Sequence, residues 1–167
     1  KTVYFPAGTY KISTTLKTTV SGYNLIGCGI NTIIKWYGAS GGAMMWPDGS
    51  DGVRYLGLVW DGNNLAGCAF EEYSDLYTGG GSTYMTGIRH ENESFRNFTV
   101  NGTYPAPDPD GIYPSGFPPS AIIAGFDNPV NASPVGEVTI FNCCFNNCTD
   151  AIYVPVEIFN NFMWVID

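Results

Sequence analysis

Charge is scarce in this chain of 167 residues. Charged side chains make up 13%, and only seven of them are Lys or Arg. The formal net charge of −8 leaves little basic surface for a phosphate backbone, so nucleic acid is not an expected partner. It equally disfavours polyanionic sugars unless a cation bridges them. Histidine occurs once, as His90, and there is no CxxC pair, so no metal site and no cofactor is expected. No apolar run approaches the length of a membrane span. No stretch sustains a 3.6-residue period, which argues against long helices. The triple glycine at 79–81 is not followed by Lys-Ser or Lys-Thr, so it is no phosphate cradle.

Turn formers and apolar residues are plentiful instead. The chain has 21 Gly and 11 Pro, and hydrophobic residues reach 44%. That composition suits one all-β domain over residues 1–167 with many corners and a real core. The clearest break is the Pro-rich stretch at about 104–120 (YPAPDPDGIYPSGFPPS). Its prolines cannot serve an interior ladder, so a loop projecting from the body is expected. Residues 37–51 read as a loop or partial coil whose Met44, Met45 and Trp46 are apolar enough for the core. Asp48 and Asp51 beside glycines there read as ordinary turns.

One phrase recurs. Val53 and Tyr55 alternate as in a half-buried strand, Gly57 interrupts, and the alternation resumes at Leu58 and Trp60 before Asp61-Gly62. Tyr23, Leu25, Gly27, Cys28, Ile30 and Asn31 fit the same places. So do Phe95, Asn97, Phe98, Val100 and Asn101, and so do Val138, Ile140, Asn142, Cys143, Phe145 and Asn146. A last copy reads Phe159, Asn161, Phe162 and Trp164. The hinge is then Gly27, Gly57, Asn97, Asn142 and Asn161, the residue types that best tolerate positive φ. A second turn is expected four positions on, at Asn31, Asp61, Asn101 and Asn146. Gaps of 30, 40, 45 and 19 between hinges suit solenoid turns, the long ones holding two turns or one turn with a loop. Short strands stacking rung on rung make a parallel β-helix.

The opening carries a resemblance. VYFPAGTY at 3–10, LIGCG at 25–29 and TIIKW at 32–36 resemble the first coils of the pectate-lyase-like superfamily. That group includes polysaccharide lyases, polygalacturonases, exo-β-1,3-glucanases and phage tailspikes. The resemblance implies a right-handed parallel β-helix, here of roughly six to eight coils. Relatives place an amphipathic capping segment before this box. Lys1 lies essentially at its start, so the N-terminal cap is expected to be missing, and nothing near residue 167 reads as a cap.

Chemistry is harder to place. A glycosidase needs two carboxyl groups across the scissile bond. Asp61, Glu71, Glu72, Asp75, Glu91 and Glu93 are the candidates, and Asp61 is explained by its repeat turn. Glu71 with Glu72 or Asp75 is the better pair, because loops on a rigid scaffold carry function. His90, between Arg89 and Glu91, is the candidate general base. The polygalacturonase and lyase motifs are absent from this stretch.

Five Asn-x-Ser/Thr sequons, at Asn92, Asn97, Asn101, Asn131 and Asn147, point to an extracellular glycoprotein carrying N-linked glycans. Asn101, in an outward turn, is the favoured acceptor. Asn97 is committed as a hinge, and Pro134 follows close on Asn131. Five cysteines leave at least one unpaired within the chain. Cys28 and Cys143 fall at one inward repeat position, while the pairing of Cys144 and Cys148 stays open.

Two functions follow. In the first, copies self-associate end to end into an extracellular fibre. Thr2, Val3, Tyr4 and Phe5 at one end then meet Phe159, Phe162, Trp164 and Ile166 at the other. In the second, the chain is a fragment of a secreted carbohydrate-active enzyme, exo-β-1,3-glucanase-like, or a tailspike-type module that binds polysaccharide.

Overall fold

A computed structural model describes residues 1–72, 85–103, 116–124, 135–154 and 165–166. The chain is a right-handed parallel β-helix of about five coils. The first coil holds β1 (Thr2–Tyr4), β2 (Gly8–Ile12) and β3 (Leu16–Lys17). The second holds β4 (Asn24–Ile26), a 3-10 turn (Gly29–Asn31), β5 (Thr32–Trp36) and β6 (Ala43–Trp46). The third has β7 (Arg54–Leu56), β8 (Val59–Asp61) and β9 (Cys68–Glu72). The fourth has β10 (Ile88–Glu91), β11 (Ser94–Phe98) and β12 (Ser120–Ala124). The fifth has β13 (Val138–Phe141), β14 (Cys144–Cys148) and β15 (Asp150–Tyr153), and β16 (Val165–Ile166) follows.

Equivalent strands form three parallel sheets. The first runs β1-β4-β7-β10-β13-β16, the second β2-β5-β8-β11-β14 and the third β3-β6-β9-β12-β15. Fewer coils form than the six to eight expected. Each long gap holds one coil with an insertion, because β7 pairs directly with β10 and β10 with β13.

Register creates columns of like residues. Leu25, Tyr55, His90 and Ile140 stack through the first sheet, with Val3 before them and Ile166 in register after them. Tyr10, Ile34, Trp60, Phe95 and Phe145 stack through the second. Leu16, Met45, Phe70, Ile122 and Ile152 stack through the third. Phe95 and Phe145 lie face to face, with centroids 5.1 Å apart and planes at 10°. The expected core residues Met44, Met45 and Trp46 are buried, and 43–46 is a full strand rather than a loop. Most of the stabilisation is this continuous apolar stack.

The corners differ from the sequence spacing in a consistent way. The register puts Gly57, Asn92 and Asn142 at one corner, with φ of 63°, 54° and 49°. The third hinge is therefore Asn92, not Asn97. Asn97 belongs to a second corner with Asn147, at φ of 64° and 52°. Both columns use asparagine, so a slip of five residues still lands on one. The asparagines also bond along the axis. Asn142 Nδ2 donates to Asn92 Oδ1 at 2.7 Å, and Asn147 Nδ2 to Asn97 Oδ1 at 2.9 Å.

In the second coil the left-handed residue is Gly29, at φ 65°, rather than Gly27. Gly27 is needed for closeness instead. A Cβ there would lie 2.5 Å from the Gly57 carbonyl oxygen and 2.9 Å from Thr32 Cβ. The added 3-10 turn throws Ile30 outward, 79% exposed, and Ile34 stacks on Trp60 in its place. Cys28 thus leaves the inward column. It meets the Tyr4 hydroxyl at 2.9 Å, while Cys143 occupies the level of Leu58 and Glu93.

The second turn set is also displaced. Asn31 ends the 3-10 turn, and Asp61 and Asn146 are strand residues. In the last copy Ile166, not Phe159, pairs with Ile140. Asn161 lies outside the described residues.

The expected projecting loop is described only at its end. Phe117 and Ser120 are buried, and Phe117 bridges to Gly102. Residues 104–115 lie outside the described residues.

Candidate functional site

The corner at Asn92 turns the chain so that Glu93 points inward, where Leu58 points in the coil before. His90 points inward from β10 in the Tyr55 column. Glu72, at the end of β9, reaches the same level from the third sheet. Two expected candidates, Glu72 and His90, are therefore brought together, and Glu93 joins them.

His90 Nε2 lies 2.6 Å from Glu72 Oε1, and its Nδ1 lies 2.7 Å from Glu93 Oε2. Trp60 Nε1 donates to Glu93 Oε1 at 2.7 Å. His90 and Glu72 are fully buried and Glu93 is 2% exposed. A neutral imidazole has one N–H, yet both nitrogens here face a carboxyl oxygen. Burial alone would lower the His90 pKa, but the Glu72 charge and hydrogen bonds to both carboxyls raise it to about 9. Burial raises Glu93, opposed by its bonds to His90 and Trp60. The ring is an imidazolium stacked on Tyr55, with centroids 5.0 Å apart and planes at 22°. Tyr55 in turn meets the Tyr23 hydroxyl at 2.7 Å, and burial pushes the Tyr55 phenol well up. This triad is sealed inside the stack. Its hydrogen bonds, with that of Trp60, tie residues of all three sheets together.

Glu71 points the other way, out from the third sheet. It stands in register with Trp46 on one side and Ile123 on the other. It is fully buried, and neither carboxyl oxygen has a hydrogen-bond partner among the described residues. Burial pushes its pKa well above the usual carboxylate range. Asp48, also buried, takes an ion pair from Lys17 at 2.9 Å, and Lys17 sits 3.7 Å over the Trp46 ring. Asp75 lies outside the described residues.

Asp61 and Glu91 are engaged on the outside. Burial would raise the Asp61 pKa, but the Asn97 amide, the Asn63 N–H and Arg96 outweigh it and lower it. Glu91 is paired with Arg54.

The first rung is the other notable feature. Val3 and Tyr4 are 49% and 59% exposed. A cavity of about 350 Å³ opens there, lined mainly by Val3, Phe5, Leu16, Tyr23, Leu25 and Met45. These are the core columns seen end on. β1, β2 and β3 are each the first strand of their sheet. Among the described residues, nothing covers them. Of the expected tail contacts, Ile166 lies in β16, and Phe159, Phe162 and Trp164 lie outside the described residues.

Asn92, Asn101 and Asn147 are exposed, and Asn97 is half-buried. The amide nitrogens of Asn97 and Asn147 are already donors, to Asp61 and Asn97. Asn131 lies outside the described residues. All described cysteines are free thiols. Cys144 and Cys148 share one strand, roughly 13 Å apart at strand rise, so they cannot bridge.

Among the described residues, no helix is long and apolar enough to cross a membrane. The chain matches no protein-family model, no curated protein and no solved structure.

Proposed function

We propose that the chain is an extracellular, glycosylated structural protein of the pectate-lyase-like type whose β-helices join end to end. The observation that supports this is the open first rung. Three strand edges without a partner among the described residues surround an apolar mouth, an arrangement that invites another β-helical rung. The occupant is a second copy, because β14, β15 and β16 are the last described strands of the same three sheets. In the first sheet, β1 of the next copy meets β16, with Val3 in register with Ile166. Tyr10 follows aromatic Phe145 and Leu16 follows aliphatic Ile152 in the other two sheets. Sedimentation velocity and negative-stain microscopy of the purified chain test it. Filaments or concentration-dependent rods are expected at micromolar concentration, and a monodisperse monomer would refute the proposal.

One observation favours the enzyme reading. Glu71 is a carboxyl on the outer face of a sheet beside Trp46, and burial shifts its pKa upward, the direction a general acid needs. Incubation with a panel of β-glucans and pectins checks it. Released sugars would support it, and no product from any substrate would count against it.

A further inference from the structure

A groove runs beside the first corner on the outside of the β-helix. Its volume is about 280 Å³, and Ile30, Val59, Asn92, Ser94 and Asn142 are among its walls. The fold explains it. Gly57, Asn92 and Asn142 take that corner in successive coils, and Gly57 brings no side chain, so the corner column has a gap one rung before Asn92. The 3-10 turn of the second coil throws Ile30 outward one rung further from Asn92. Val59 and Ser94, in register on the outer face of the second sheet, form the side. The result is a notch with an apolar end wall and a polar rim.

Asn92 stands at the edge of this notch and heads a sequon, Asn92-Glu93-Ser94. Asn142 Nδ2, from the following coil, donates to Asn92 Oδ1 at 2.7 Å. The oxygen side of the Asn92 amide is thus engaged, while its Nδ2 donates to none of the described residues. Two other sequons differ. Asn97 Nδ2 donates to Asp61 Oδ1 at 2.9 Å, and Asn147 Nδ2 donates to Asn97 Oδ1 at 2.9 Å. A sugar on either would crowd a nitrogen already bound within the second corner.

We propose that Asn92 carries an N-linked glycan whose first N-acetylglucosamine lies in this notch, with one face of its ring against Ile30. The proposal rests on the reading of the chain as a secreted glycoprotein and adds the acceptor and its seat. A sugar ring has a face of C–H groups and a rim of polar groups, which suits an isoleucine wall beside serine and asparagine side chains. The notch is slightly smaller than small-ligand clefts of about 300–1,000 Å³, so it holds one ring rather than a chain of them. A tethered ring needs little affinity of its own, because its attachment keeps the local concentration high. The sugar is added to the unfolded chain, so the burial of Glu93 in the fold is no obstacle.

Glycopeptide mass spectrometry of the full chain secreted from a eukaryotic host tests the acceptor. Sugar is expected at Asn92 and not at Asn97 or Asn147. Sugar at other sequons with none at Asn92 would overturn the proposal and leave the glycoprotein reading standing. No sugar at any sequon would overturn both. Thermal melting tests the seat. Ser94→Ala removes the sequon and keeps the Asn92 corner. The secreted variant should melt about 2–4 °C below the secreted wild-type chain, the scale of one modest contact in a domain of this size. That gap is read against the same pair made in bacteria without sugar. Trimming the wild-type glycan to its first sugar with an endoglycosidase should preserve the gap, and Ile30→Ser should abolish it. No gap, or an equal gap in the Ile30→Ser background, would show that the sugar does not sit in the notch.

Discussion

Replacing His90 by leucine should destabilise the fold by about 3–5 kcal/mol, the usual cost of stripping a buried charge of its partner. The expectation comes from the distances to Glu72 and Glu93, 2.6 and 2.7 Å, in a buried site. Without the imidazolium, two carboxyls are left in the core, and among the described residues the side-chain donor that remains is Trp60, to Glu93. They must take up protons or draw in water. Urea unfolding at pH 7 measures the loss. The triple replacement Glu72→Met, His90→Leu, Glu93→Met is the informative companion. It removes all three polar groups together, and its stability should return to within about 2 kcal/mol of the wild-type chain. A single variant as stable as wild type would mean that the triad is not a coupled unit.

Stability should fall as pH rises from about 6.5 to 9. His90 has a folded-state pKa of about 9 against an ordinary value near 6.5. The folded chain therefore holds this proton more tightly than the unfolded one. The contribution is fully present below 6.5 and is lost as pH passes through 9. A shift of that size corresponds to a loss on the order of 3 kcal/mol. Glu71 and Glu93 act with the same sign from lower pH, since burial raises both. Asp61 opposes them at the acid end, where its lowered pKa gives support that disappears as pH falls through it. The stability maximum is thus expected on the mildly acidic side. Thermal melts across pH 4–10 give the profile, and the triple variant should flatten its alkaline limb. A flat wild-type curve between 6.5 and 9 would show that the ring is not held as a cation.

The fold was readable because its two signals are local. The opening box and the alternation around Gly57 each mark a strand and a corner, and the fourth copy, from Val138 to Asn146, aligns as the spacing suggests. The third copy does not. Asn92 and Asn97 both take positive φ, five residues apart, and sequence alone gives no reason to prefer one. That slip hid the triad. With the corner set at Asn92, His90 falls in the Tyr55 column and Glu93 at the place of Leu58, two ionisable residues in apolar columns. The second coil failed differently, because an inserted 3-10 turn moved Ile34 into the place assigned to Ile30. The opposite directions of Glu71 and Glu72 follow from strand alternation once β9 is known. Their burial does not follow from sequence.

Gly57, Asn92 and Asn142 stack as neighbours although 35 and 50 residues separate them along the chain. Rung height is fixed by the ladder, whereas contour length between rungs is free. Foreign peptides grafted between β9 and β10, or between β12 and β13, would leave the vertical spacing untouched. The scaffold can thus display cargo of very different sizes at regular intervals along one axis.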